Sequence, residues 1–130
     1  DLGGGFAQTK LLSEKLPRKV LGVRYPGSIT GILRWDKETN SYIANRERTL
    51  DILFLRIRKT GFVFPKLEDF RPYARDILNV YIEHSSDGRR TYYDHPPGPG
   101  NEDDALHSLN YCLLADAVLN NRPEYLKVTD

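Results

Sequence analysis

The segment Gly100-Asn101-Glu102-Asp103-Asp104-Ala105-Leu106-His107-Ser108-Leu109-Asn110-Tyr111 is the part of the chain richest in groups that could do chemistry. A Pro/Gly loop, His95 to Gly100, delivers three acids and an amide to the start of an apolar run. Two readings stand. In the first, Asn101 or Asp103 caps a helix and the neighbouring acids complement its dipole, contributing about 0.5–2 kcal/mol each. In the second, helical spacing puts Asp104, His107 and Ser108 on one face, while Leu106, Leu109 and Leu113 enter a core. Adjacent carboxylates repel unless a cation lies between them, and a hard divalent ion such as Mg²⁺ or Mn²⁺ prefers such oxygens. Asp1 is the other candidate acid: an aspartate ahead of a glycine turn can be aimed into a cleft, or can be a terminus with no role. His84, His95, His107 and Trp35 are weaker signals, and Trp35 is expected in a core.

These residues need elements to hold them. A helix is predicted over Gln8 to Leu16, with Leu11, Leu12 and Leu16 as its stripe and Pro17 as its end. Lys19 to Tyr25 reads as a strand, and Ile32 to Trp35 with Tyr42 to Ala44 as a hairpin around Asp36 to Asn40. Thr49 opens a helix with Leu50, Leu53, Phe54 and Ile57 as its stripe, and Gly61 stands where a left-handed C-terminal residue is expected. Phe62 to Pro65 is extended. A helix then covers Phe70 to about Val80, with Pro72 in its first turn. Asn79 to His84 either extends that helix or pairs with Arg90 to Tyr93 across Ser85-Ser86-Asp87-Gly88; Asp-Gly favours the hairpin. The last helix runs from about Asp103 to Asn120.

Composition narrows the class. The chain has 130 residues, 39% of them hydrophobic, which suits one soluble α/β or α+β domain over residues 1–130. Its apolar runs are too short for a membrane span of roughly 20 residues. One cysteine, Cys112, allows neither an internal disulfide nor a cysteine zinc cluster and suits a reducing cytoplasm. Nineteen basic against 18 acidic residues give a net charge of +1, so any nucleic-acid contact must come from local clusters. With no methionine and an opening Asp-Leu-Gly-Gly-Gly, the chain reads as a fragment of a longer one.

Asp1-Leu2-Gly3-Gly4-Gly5 followed by a helix resembles the middle motif of the nuclease domain of bacteriophage large terminase subunits. Asp103-Asp104-Ala105-Leu106-His107-Ser108-Leu109-Asn110-Tyr111 resembles their last acidic motif, and the stretch through Tyr25, Gly61 and Phe64-Pro65 is similar as well. The resemblance implies an RNase H-like mixed sheet with flanking helices, here lacking its first strands. It implies an Mg²⁺- or Mn²⁺-dependent endonuclease that cuts concatemeric double-stranded DNA during viral genome packaging, in the host cytoplasm. Asp1 would match the middle metal ligand, and Asp104 with Asp103 the last. Two ions about 3.5–4 Å apart would then activate water and stabilise the leaving oxygen. Arg89 and Arg90 would contact phosphates or else decorate a solvated hairpin tip. Portal protein and the small terminase subunit are the implied protein partners. The family's first acidic ligand and its ATPase phosphate loop have no match, so these residues alone are expected to cleave poorly.

Three rivals remain at this level. The glycine turn also resembles the phosphate turn of actin and Hsp70-like ATPases, although Phe6 to Leu12 reads as helical. A non-catalytic module could dock DNA or a portal through basic loops and keep its acids as caps. A resolvase or transposase of the RNase H-like class would share the acids but not the Asp-Asp-Ala-Leu-His run.

Overall fold

A computed structural model describes residues 6–16, 20–27 and 29–126. The fold is mixed α/β. In chain order the elements are α1 (Phe6–Lys15), β1 (Val23–Arg24), β2 (Leu33–Asp36), β3 (Ser41–Ala44), α2 (Arg46–Arg58), α3 (Leu67–Leu78), β4 (Tyr81–His84), β5 (Thr91–Asp94) and α4 (Asp104–Leu119), then a 3₁₀ turn, Pro123–Leu126. They divide into two compact units, residues 1–49 and 50–130.

The first unit holds a three-stranded sheet in the order β1-β3-β2. β2 and β3 form the hairpin expected from the sequence, with Trp35 opposite Tyr42 and Arg34 opposite Ile43. Its loop turns on Asn40, whose φ of 49° is the left-handed conformation asparagine tolerates well. The strand expected over Lys19 to Tyr25 is reduced to Val23 and Arg24, which run parallel to β3. Trp35 is 40% exposed, edge-on to Tyr42, so it belongs to the sheet surface and not to a core. Leu11 and Leu12 on α1, and Leu16 just after it, are likewise exposed.

A polar latch closes this hairpin. Arg24 Nη2 donates to Asp36 Oδ2 at 2.7 Å and to Thr39 Oγ1 at 2.6 Å, while its Nε donates to Ser41 Oγ at 3.1 Å. The Thr39 hydroxyl donates to Asp36, and the Glu38 N–H reaches the other carboxylate oxygen. The Thr39 hydroxyl, that backbone N–H and the Arg24 guanidinium hold the Asp36 carboxyl below its ordinary value, against the opposing effect of partial burial.

α2 starts at Asn45, whose side chain accepts the Arg48 N–H and so supplies the N-cap, four residues before the expected Thr49. Thr49 instead lies inside the first turn and bonds back to the Arg46 carbonyl. Leu50 and Leu53 are fully buried as the stripe predicts, and Ile52 is buried beside them. The helix ends in a Schellman motif: the Gly61 N–H reaches the Arg56 carbonyl at 2.8 Å and the Thr60 N–H that of Ile57 at 3.2 Å. Thr60 carries the left-handed φ of 56°, not Gly61. At Gly61 the constraint is space: a Cβ there would sit 3.2 Å from the Arg56 carbonyl oxygen, a tight contact that the backbone would have to relieve by a few tenths of an ångström.

In the second unit β4 and β5 pair antiparallel, with Ile82 opposite Tyr93 and Glu83 opposite Tyr92, which settles the helix-or-hairpin alternative. Asp87 and Ser85 build the turn, and Gly88 takes a φ of 68°. Tyr93 is the buried residue of these strands; it stacks on Phe54 and donates its hydroxyl to Asp51 at 2.7 Å. α3 begins three residues earlier than the stripe suggests, so Pro72 lies inside it and not in its first turn. Leu106, Leu113, Leu114 and Ala117 bury one side of α4.

Two outcomes are expected. Thr60→Gly raises unfolding free energy by about 1 kcal/mol in urea titration, because a β-branched residue in the left-handed region is strained. For Asp36, the folded carboxyl is lowered, so its contribution is complete above the ordinary value and fades as pH falls through the folded one. The stability gap between wild type and Asp36→Asn, present at pH 7, therefore shrinks below about pH 4.

Candidate acidic site at the start of the last helix

The loop into α4 is fixed by its own side chains. Asn101 Nδ2 donates to the Pro97 carbonyl at 3.2 Å, and the Gly100 N–H donates to Glu102 Oε1 at 3.0 Å. Gly98 and Gly100 take φ values of 105° and 79°, open to glycine and strained for other residues. The guanidinium of Arg75, from α3, lies 3.6 Å from where a Gly100 Cβ would stand, an ordinary contact, so the demand for glycine here is conformational. Backbone N–H groups, its own first and then that of Gly100, push the Glu102 carboxyl below its usual value, with Arg75 and His95 adding to them.

Helix α4 begins with four N–H groups that lack intrahelical partners. Asp103 occupies the N-cap position but makes no side-chain cap bond. The Ala105 N–H is instead taken by Asp76 Oδ2, from α3, at 3.1 Å. Capping at this helix is thus performed by a residue 29 positions away, and neither Asn101 nor Asp103 does it.

That arrangement separates the two adjacent aspartates. Asp103 Oδ2 lies 3.1 Å from His107 Nε2, an i,i+4 pair whose side chains are 14% and 19% exposed. Asp104 is exposed and faces another way, into an open groove between α3 and α4 of about 490 Å³. α3 contributes Phe70, Tyr73, Asp76 and Ile77 to this groove. Ser108, Leu109 and Cys112 join Asp104 from α4. The expected face therefore holds Asp104 and Ser108 but not His107, which turns to Asp103. Leu109, expected in the core, lines the groove; Leu106 and Leu113 are buried as expected.

Asp1, with the glycine turn on which the phosphate-binding alternative rests, lies outside the described residues. Arg89 and Arg90 are exposed at the β4–β5 turn, where Asp87 and Ser85 accept their backbone N–H groups. His84 is exposed, and His95 Nδ1 lies 3.1 Å from the Pro96 carbonyl. Among the described residues no three His, Cys, Asp or Glu side chains gather closely enough to hold a metal ion. Asp104 and Asp76 do share one groove. One or two carboxylates completed by substrate phosphates are the usual protein contribution to an Mg²⁺ site, so their chemistry fits that ion. Asp76 was missed in the sequence. Its neighbours Phe70, Tyr73 and Ile77 carry a helical period, but nothing local marks it as the cap of another helix.

Losing the Asp76 carboxylate removes an N-cap. Asp76→Ala is expected to lower unfolding free energy by about 1 kcal/mol in urea titration, and Asp76→Asn, which keeps an acceptor oxygen, by less.

No family model, curated protein or solved structure matches this chain.

Proposed function

We propose that this chain is the nuclease domain of a viral DNA-packaging terminase, an RNase H-like, Mg²⁺- or Mn²⁺-dependent endonuclease acting on concatemeric double-stranded DNA. The observation that carries this reading is the division of labour at α4: Asp76 does the capping, which leaves the Asp104 carboxylate exposed in a groove and not needed as a cap. The mixed sheet and flanking helices agree with it at the level of fold class.

In this reading Asp104 is the principal ligand of the last acidic motif, with Asp76 beside it. Asp103 is a positioning residue that holds His107. The resemblance implies a further carboxylate, Asp1, which lies outside the described residues. Bound divalent ions would supply activation of water and stabilisation of the leaving oxygen. The protein's own residues orient the carboxylates: the glycines of the loop set the entry angle of α4, and Asp76 fixes its first turn. Arg89 and Arg90, at an exposed turn, contact DNA phosphates. Portal protein and the small terminase subunit are the protein partners, in the host cytoplasm. No helix of the described residues is long and apolar enough to cross a membrane.

The exposed arginine pair also favours a second reading, a non-catalytic DNA- or portal-docking module. The two part on one variant. In the full-length protein, Asp104→Asn is expected to cut Mn²⁺-supported plasmid nicking by more than about a hundredfold, beyond what loss of an outer-shell group does. Its unfolding midpoint stays at that of wild type. Unchanged cleavage per folded molecule overturns the nuclease reading, as does unchanged, strongly salt-dependent DNA binding with no metal uptake by calorimetry.

A further inference from the structure

Consecutive residues of α3 frame the two ends of the segment that carries Asp104. Asp76 bonds to the Ala105 N–H at its far end. The guanidinium of Arg75 lies against its near end, 3.6 Å from where a Gly100 Cβ would stand. Asn79, one helical turn after Arg75, reaches the same place, its Nδ2 donating to the Gly100 carbonyl at 3.4 Å. Arg75 is nonetheless exposed, and among the described residues its guanidinium has no hydrogen bond or ion pair. The Glu102 carboxylate feels the charge of Arg75 but accepts the Gly100 N–H instead. A fixed fork of donors is thus left open beside the acidic segment.

Charge says what such a fork would hold. A divalent ion on Asp76 and Asp104 neutralises those two carboxylates, and substrate phosphate completes its shell. The phosphodiester then brings a negative charge of its own to this end of α4. A guanidinium meets that charge with two parallel, charge-assisted bonds, and its planarity fixes the orientation of the group it holds. Arg89 and Arg90 stand on the β4–β5 turn and not on this frame. We propose that Arg75 binds the phosphodiester that enters the acidic site and orients it toward Asp104 and Asp76. The proposal takes its substrate from the nuclease reading and so rests on it; the contact it assigns is separate from the hairpin arginines.

The first readout needs no cleavage. Binding of a labelled duplex of about 20 base pairs is followed by fluorescence anisotropy in EDTA over a range of salt concentrations. Arg75→Gln is expected to weaken binding about tenfold and to flatten the slope of log K against log salt by about 0.9, the share of one phosphate. Arg75→Lys, which keeps the charge, keeps the slope. In Mn²⁺ the glutamine variant is expected to lose about tenfold or more in kcat/KM for plasmid nicking, and the lysine variant, lacking the fork, recovers only part of it. Both keep the wild-type unfolding midpoint and the wild-type Mn²⁺ uptake in calorimetry. Arg58→Gln, which removes an exposed arginine at the end of α2, is the control for net charge. An unchanged slope or unchanged kcat/KM in Arg75→Gln overturns the proposal, as does an equal loss in Arg58→Gln. Unchanged cleavage by Asp104→Asn counts instead against the nuclease reading, because the salt slope in EDTA reads the phosphate contact of Arg75 whatever the reaction.

Discussion

The start of α4 is satisfied from outside itself, and much of the second unit follows from that one hydrogen bond. An uncapped helix leaves N–H groups that must be met by side chain, water or ligand. Asp76 meets one of them from α3, which ties the late part of one helix to the first turn of another. The bond does more than satisfy a donor. Beside it, Glu102 accepts a loop N–H, Asp103 lies against His107 and Asp104 faces solvent. Three consecutive acidic residues thus have three environments, set by partners of different kinds. Repulsion between neighbouring carboxylates is relieved by direction as well as by counter-charge.

The first unit solves a different problem with the same economy of means. Its sheet is short, and β1 contributes only two residues. What such strands cannot supply in ladder bonds is offset by the Arg24 fork, which spans three side chains of the β2–β3 hairpin. A guanidinium suits this role because its donors are fixed in a plane and several can be satisfied at once.

Much of the architecture was legible because it rests on local pattern. The alternation around Trp35 and Tyr42, the Asp-Gly turn and the long apolar period of α4 all specify their elements within about a dozen residues. Boundaries failed where a nearby residue could fill the same role, as Asn45 does in place of Thr49 at the cap and Thr60 in place of Gly61 in the left-handed position. The candidate site was legible only as a run of acids. Which acid points where depends on Asp76, and a contact across 29 positions leaves no mark in either stretch of sequence. The strand over Lys19 to Tyr25 was overread because β-branched composition speaks for extended backbone and not for the presence of a neighbour to pair with.

Tyr93 anchors the hairpin of β4 and β5. Two strands alone are marginal in water, and Tyr93, the buried residue of the pair, joins them to the body of their unit by its stack on Phe54 and its bond to Asp51. Arg89 and Arg90 lie at the hairpin's far end, exposed at the turn. In a cooperative molecule such a part opens at a lower free energy than the core and exchanges its amide hydrogens sooner.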